Sequence, residues 1–339
     1  MEIRDFSELL KGCRPVKDSD GNIVVQSILN MQVVCLTTDK EYSLDERFGN
    51  PLTALRSSNS TYGEMSFTNL ENKEVIIPTQ MAVMTKQSAQ NHGMTKAGYV
   101  GKRSTARYTD AGCVEGSTPG YFSNTQEFRL IPLSMREMVF DAQESGSGYS
   151  RIYPAIERLG HDTRSSTSNY LDRYFSKYDK KLEQFIAHFE RPKNLIGIIV
   201  LVDGEIIAVD KFPSFTYAEQ VWEMMIRDCY GSVAIMADIN NRTSANEFTQ
   251  TYQELKTNHR SSVVDLLEKA LKKTKERMTS DVMKKIIDVG ICESFSVCFS
   301  AALSEKYDVF LPIYSSFLQR AYDQIVHDLT RQDLKIVIG

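Results

Sequence analysis

The chain of 339 residues is 42% hydrophobic and 25% charged, the proportions of an ordinary globular protein with length for about two domains. A formal net charge of −4 and an isoelectric point near 5.9 exclude a global positive field of the kind that holds nucleic acid or an anionic membrane. No run approaches the roughly 18 uninterrupted apolar residues of a transmembrane helix.

The cysteines, at 13, 35, 113, 229, 292 and 298, form no C-x-x-C pair and read as free thiols in a reducing compartment. The opening MEIRDFSELLKGCRP carries acidic residues early and lacks an apolar core, so no signal peptide and a cytoplasmic location are expected.

In chain order, residues 3–12 have the spacing of a short helix, with Ile3, Phe6, Leu9 and Leu10 on one side and Gly12 at its end. Residues 22–36 are rich in β-branched side chains and predict one or two strands. Residues 37–66 are polar and turn-rich, with LDERF and LTALR as candidate helical turns, and 65–70 and 74–78 predict two strands around a turn at Glu71-Asn72. Residues 79–129 carry frequent glycines and short β-branched or aromatic runs, which predict short strands joined by turns. Residues 128–133 read as another strand, 134–142 as a helix or a strand, and the Gly/Ser tract 144–150 as a plain loop or a mobile flap.

Residues 153–159 and 168–189 have helical spacing, and Arg191-Pro192 stops the second helix. Residues 195–202 and 205–210 flank Asp203-Gly204 and predict a β-hairpin whose first strand, apolar throughout, is central. Ser214 or Thr216 is a candidate N-cap for a helix reaching Cys229, with Tyr217, Val221, Trp222, Met225 and Ile226 as its inner stripe. From Asn240 the pattern turns helical, with segments at 248–256, 261–278, 279–289, 295–305 and 313–329, and the lysines over 269–277 form a solvated face. The expected class is α+β: a mainly antiparallel β-sheet domain with interspersed helices over 1–238, followed by an α-helical C-terminal region over 239–339.

The densest polar set lies in residues 79–129, with Lys86, Gln90, Asn91, His92, Lys102, Arg103, Arg107 and Glu115. These residues suit either a pocket for a phosphate-bearing small molecule or a twisted β region with a solvated face. P-loop, G-x-G-x-x-G, G-x-S-x-G, H-E-x-x-H and zinc-type cysteine patterns are all absent, and the histidines are too scattered for a metal site. Cys113 has Arg107 and Lys102 near in sequence, which would favour a thiolate, against the simpler reading of a buried thiol in a strand.

Ala89-Gln90-Asn91-His92, then Gly112-Cys113-Val114-Glu115-Gly116 leading to Tyr121-Phe122, resembles the ARG and rhodanese-phosphatase-superfamily-associated (ARPP) domain. Gly204 to Phe212 followed by Phe215 to Trp222, and the intervening helices, are similar to that family in order and spacing, so the resemblance covers about residues 15–238. The sequence departs from the pattern in two places: His92 stands where the family usually has arginine, and Ser117-Thr118-Pro119 replaces an arginine-tryptophan pair.

The resemblance implies binding, with hydrolysis or transfer as a further option, of an ADP-ribose or NAD-related nucleotide in phage–host conflict. On that expectation Gln90 and Asn91 bond ribose or adenine, while Lys86, Lys102, Arg103 or Arg107 neutralise a pyrophosphate. Tyr121 or Phe122 stacks on a base. Glu115 is the candidate general base or metal ligand, His92 its acid/base partner, and Asp210 a second carboxylate or simply a strand-end residue. No cofactor is specified by the sequence. The alternative is a non-catalytic scaffold that assembles through its C-terminal helices, as a homo-oligomer or on a partner.

Overall fold

The computed structural model describes residues 12–29, 31–39, 47–85, 89–142, 147–202 and 205–241, together with 309–311 and 336–338. The chain divides into two compact units, 1–288 and 289–339. The expected helix at 3–12, all but Gly12, lies outside the described residues, as do the expected C-terminal helices, residues 144–146 of the Gly/Ser tract, Lys86 and the Asp203-Gly204 turn.

Strands β1 (Arg14–Pro15), β2 (Val25–Ile28) and β3 (Met31–Thr37) open the first unit. A single helical turn, α1 (Pro51–Ala54), leads into β4 (Leu55–Ser58) and β5 (Met65–Asn69). Next come β6 (Val75–Ile77), β7 (Met81–Val83), β8 (His92–Gly93), β9 (Gly98–Val100), β10 (Thr105–Tyr108), β11 (Gly112–Cys113) and β12 (Phe128–Leu130). The helices α2 (Arg136–Asp141), α3 (Tyr153–Asp162) and α4 (Leu171–His188) precede the hairpin β13 (Leu195–Val202) and β14 (Glu205–Lys211). Helix α5 (Phe215–Met224), a π-helical segment Met225–Tyr230 and α6 (Gly231–Asn241) complete the described part of the unit. In the second unit β15 (Val309–Leu311) pairs in parallel with β16 (Ile336–Ile338), a pairing the helical pattern does not predict.

The class is α+β, with every sheet of the first unit antiparallel in its strand pairings. In the largest sheet β13 lies between β3 and β14, as its unbroken apolar sequence requires, and all but its last residue are buried. Val34, Leu36, Ile199, Leu201 and Ile206 pack there as one cluster. The register continues from Val202 to Glu205, which leaves two residues for the turn. Ser214 caps α5, its hydroxyl accepting from the Tyr217 N–H at 3.1 Å, and Trp222 is buried in the core.

Residues 79–129 form the short strands expected of them, but these join three sheets. Strands β7, β8 and β11 belong with β12; β9 pairs with β6, and β10 pairs with β5. The strands at 65–69 and 75–77 likewise separate into different sheets instead of forming a hairpin. Among the described residues no helix is long and apolar enough to cross a membrane.

Candidate functional site

The pairing of β8 with β11 sets Gly93 opposite Gly112 and His92 opposite Cys113. A Cβ at Gly112 would lie 2.7 Å from the Ile152 side chain, so glycine permits this close packing beneath α3. His92 is fully buried there. Its Nε2 accepts the Gly63 N–H at 3.2 Å, which leaves Nδ1–H to donate to the Gln90 carbonyl at 2.8 Å. Burial lowers its pKa to about 4, so the ring is a neutral core group at ordinary pH. The Cys113 thiol lies 3.4 Å from His92 Nε2 and donates to Gln90 Oε1 at 3.0 Å, and burial pushes it up to about 12. Of the two readings of Cys113 the simpler one, a buried thiol in a strand, is what the structure shows, and desolvation is the largest influence on it.

Gln90 ties this buried pair to Glu115. Its Nε2 donates to the Glu115 carbonyl at 2.7 Å, the same oxygen that receives the Tyr153 hydroxyl at 3.2 Å. The Glu115 carboxylate is only partly buried; Oε1 accepts from Thr118 Oγ1 at 2.6 Å and Oε2 from the Asn91 N–H at 3.4 Å. Both oxygens are thus held in place from the protein side while the group faces a cavity.

That cavity measures about 720 Å³. Asn91, Glu115 and Thr118 line it together with Met84, Thr85, Glu127, Phe128 and Arg129 from around β7 and β12. Tyr170, Asp172 and Arg173 at the start of α4 and Arg227 from the π-helical segment complete the polar lining. Asn91 is 6% exposed, and its Oδ1 has no hydrogen-bond partner among the described residues. Arg129 and Arg227 share the buried carboxylate of Asp228, at 3.0 and 2.7 Å. Arg173 lies over the Tyr170 ring at 4.5 Å and has no carboxylate partner among the described residues.

The cavity therefore collects Glu115 and Asn91 from the described residues expected at the site, and not the others. Lys102, Arg103 and Arg107 are exposed; Arg103 bonds Asn72 Oδ1 at 3.0 Å, and Arg107 pairs with Glu64 on the sheet formed by β4, β5 and β10. Tyr121 is half-exposed against Tyr62, and Phe122 is buried edge-on to His92. Asp210 lies on β14 in a separate buried network, accepting from Arg136 at 3.0 Å and from the Tyr230 hydroxyl at 2.6 Å. Lys86 lies outside the described residues.

Arg129, Arg173 and Arg227 escape a sequence reading because each stands within an apolar or amphipathic segment, where a lone cation reads as a solvated position. One local signal exists: Arg227-Asp228 interrupts the apolar stripe of α5 at the π-helical turn, an irregularity frequent at functional sites. Among the described residues no group of three or more His, Cys, Asp or Glu is arranged to hold a metal ion.

Short parts of the chain are similar to 1-deoxy-D-xylulose-5-phosphate synthases. The match is 46% identical over 65 residues to that of Bacillus licheniformis, covering 19% of this chain and 10% of that protein. It is 53% identical over 55 residues to that of Nitratidesulfovibrio vulgaris, covering 16% and 9%. The chain thus spans about a tenth of the length of these curated relatives. No solved structure matches it. Residues 23–291, well over half of the sequence, match the family model of the ARG and Rhodanese-Phosphatase-superfamily-associated Protein domain, and the chain belongs to that family.

Proposed function

We propose that the protein binds a nucleotide of the ADP-ribose and NAD class in the cavity bounded by Glu115, Asn91 and the three arginines. The observation that carries this reading is the gathering, in the lining of one cavity of about 720 Å³, of three arginines with Glu115 and Asn91. Guanidiniums favour phosphate oxygens, and a carboxylate favours sugar hydroxyls or an exocyclic amine. The volume falls within the roughly 300–1,000 Å³ usual for small-molecule sites. The lining also carries Glu127 and Asp172, so its charges balance, which suits a ligand with donors as well as phosphates over a bare polyanion.

In a processing reaction Glu115 is the general base, activating water or a ribose hydroxyl, because it is the carboxylate whose orientation the fold fixes through Thr118 and Asn91. His92 supports it from behind through Gln90 and exchanges no proton with the ligand. A role in phage–host conflict follows from the family resemblance and is part of the same proposal. The rival reading, a non-catalytic interaction protein, draws on Tyr121 and Tyr149, which are 53% and 49% exposed around Tyr62.

Calorimetric titration with ADP-ribose, NAD and their cyclic derivatives, with chromatography of the products, tests the reading. Binding with unchanged nucleotide marks a sensor or sponge, and product formation marks an enzyme. In the second case Glu115→Gln retains binding and loses turnover by about 100-fold or more. Absence of binding by every one of these nucleotides overturns the proposal in favour of the interaction protein.

A further inference from the structure

Arg129 on β12 and Arg227 on the π-helical segment reach the same carboxylate oxygen, Asp228 Oδ1, while Asp228 Oδ2 accepts the Leu130 N–H at 3.3 Å. Asp228 is fully buried, whereas the side chains of Arg129 and Arg227 are 30% and 19% exposed and both line the cavity. The Phe175 ring lies 5.2 Å from the Arg129 guanidinium, and Glu183 holds Arg227 Nη1 at 3.0 Å from the rim. Asp228 and Glu183 together balance the two cations, and among the described residues they engage only Nη1 of Arg129 and Nε and Nη1 of Arg227, which leaves Nε and Nη2 of Arg129 and Nη2 of Arg227 as donors on two residues that line the cavity. A guanidinium recognises phosphate by planar, paired hydrogen bonds, so its orientation counts as much as its charge.

We infer that Arg129 and Arg227 form a clamp for the phosphate or pyrophosphate group of the ligand, and that Asp228 is the positioning residue that sets their geometry. The inference rests on the cavity's being the ligand site and adds which residues hold the anion.

Geometry and charge predict opposite signs for one substitution. Asp228→Asn removes a negative charge beside the anion, so electrostatics alone tightens binding; a positioning role loosens it, because a neutral amide no longer aligns two guanidiniums. Titration calorimetry with ADP-ribose and, separately, inorganic pyrophosphate reads the outcome on the full chain. The clamp predicts a loss of about tenfold or more for Asp228→Asn and for Arg129→Lys and Arg227→Lys, which keep the charge but lose the fork.

Unchanged or tighter binding by Asp228→Asn overturns the positioning role. Should Asp228→Asn fail to fold by circular dichroism, the two lysine variants decide, and unchanged affinity in both overturns the clamp. Wild-type binding of pyrophosphate but not ADP-ribose, weakened by the lysine substitutions, upholds the clamp and rejects the nucleotide reading. ADP-ribose binding that both lysine variants preserve upholds the nucleotide reading and rejects the clamp.

Discussion

Asp210 and Asp228 are both buried carboxylates held by arginine, and their surroundings make them opposites. Asp210 takes both of its oxygens to Arg136 Nη1, at 3.0 and 3.1 Å, and a further hydrogen bond from Tyr230. That pair is closed, with side-chain exposures of 11% for Arg136 and 4% for Asp210. Around Asp228 the carboxylate is equally buried, but its arginines extend into a cavity. The same acid–guanidinium chemistry thus locks the fold in one place and presents cationic donors in the other. Burial of the acid does not separate the two cases; what the cation's far side meets does.

The largest expected effect comes from opening the closed pair. Asp210→Ala leaves Arg136 charged and nearly buried, and stability falls by about 3–5 kcal/mol, read by urea denaturation. The change acts on folding; in protein that remains folded, ligand affinity stays at the wild-type value.

His92 supplies the next effect and ties stability to pH. Its pKa is depressed to about 4 in the folded protein, so between pH 6.5 and 4 the unfolded chain binds a proton that the folded chain refuses. The stability it contributes is complete above pH 6.5, falls progressively as pH drops through this window, and amounts to about 3 kcal/mol. In thermal or urea unfolding across pH, His92→Gln flattens this part of the profile. An unchanged profile would place the titration elsewhere.

The smallest effect sharpens the contrast with the exposed cations. Arg107 is 59% exposed and pairs with Glu64 at the surface. Arg107→Ala changes stability by no more than about 1 kcal/mol and leaves ADP-ribose affinity unaltered, whereas Arg227→Lys weakens it. Loss of affinity in the Arg107 variant, by the same calorimetry, would move the site to the other sheet.

Local pattern by itself determined much of this protein: the α+β class, the central apolar strand 195–202, the Ser214 cap, the helices over 153–162 and 171–188, and the strand-and-turn character of 79–129. These depend on hydrophobic period, turn residues and capping, which neighbouring residues decide. The family pattern likewise singled out Glu115 and Asn91, which line the cavity. Tertiary structure decided which polar residues meet. Residues close in sequence within 79–129 entered three sheets, so Arg107 faces away while Arg129, Arg173 and Arg227, separated by as much as 98 positions from 129 to 227, surround one space. Convergence of side chains depends on strand pairing and on the widened turn at Met225–Tyr230, and both are set by packing between distant segments. Desolvation followed from the same packing, and it made His92 and Cys113 neutral members of the core.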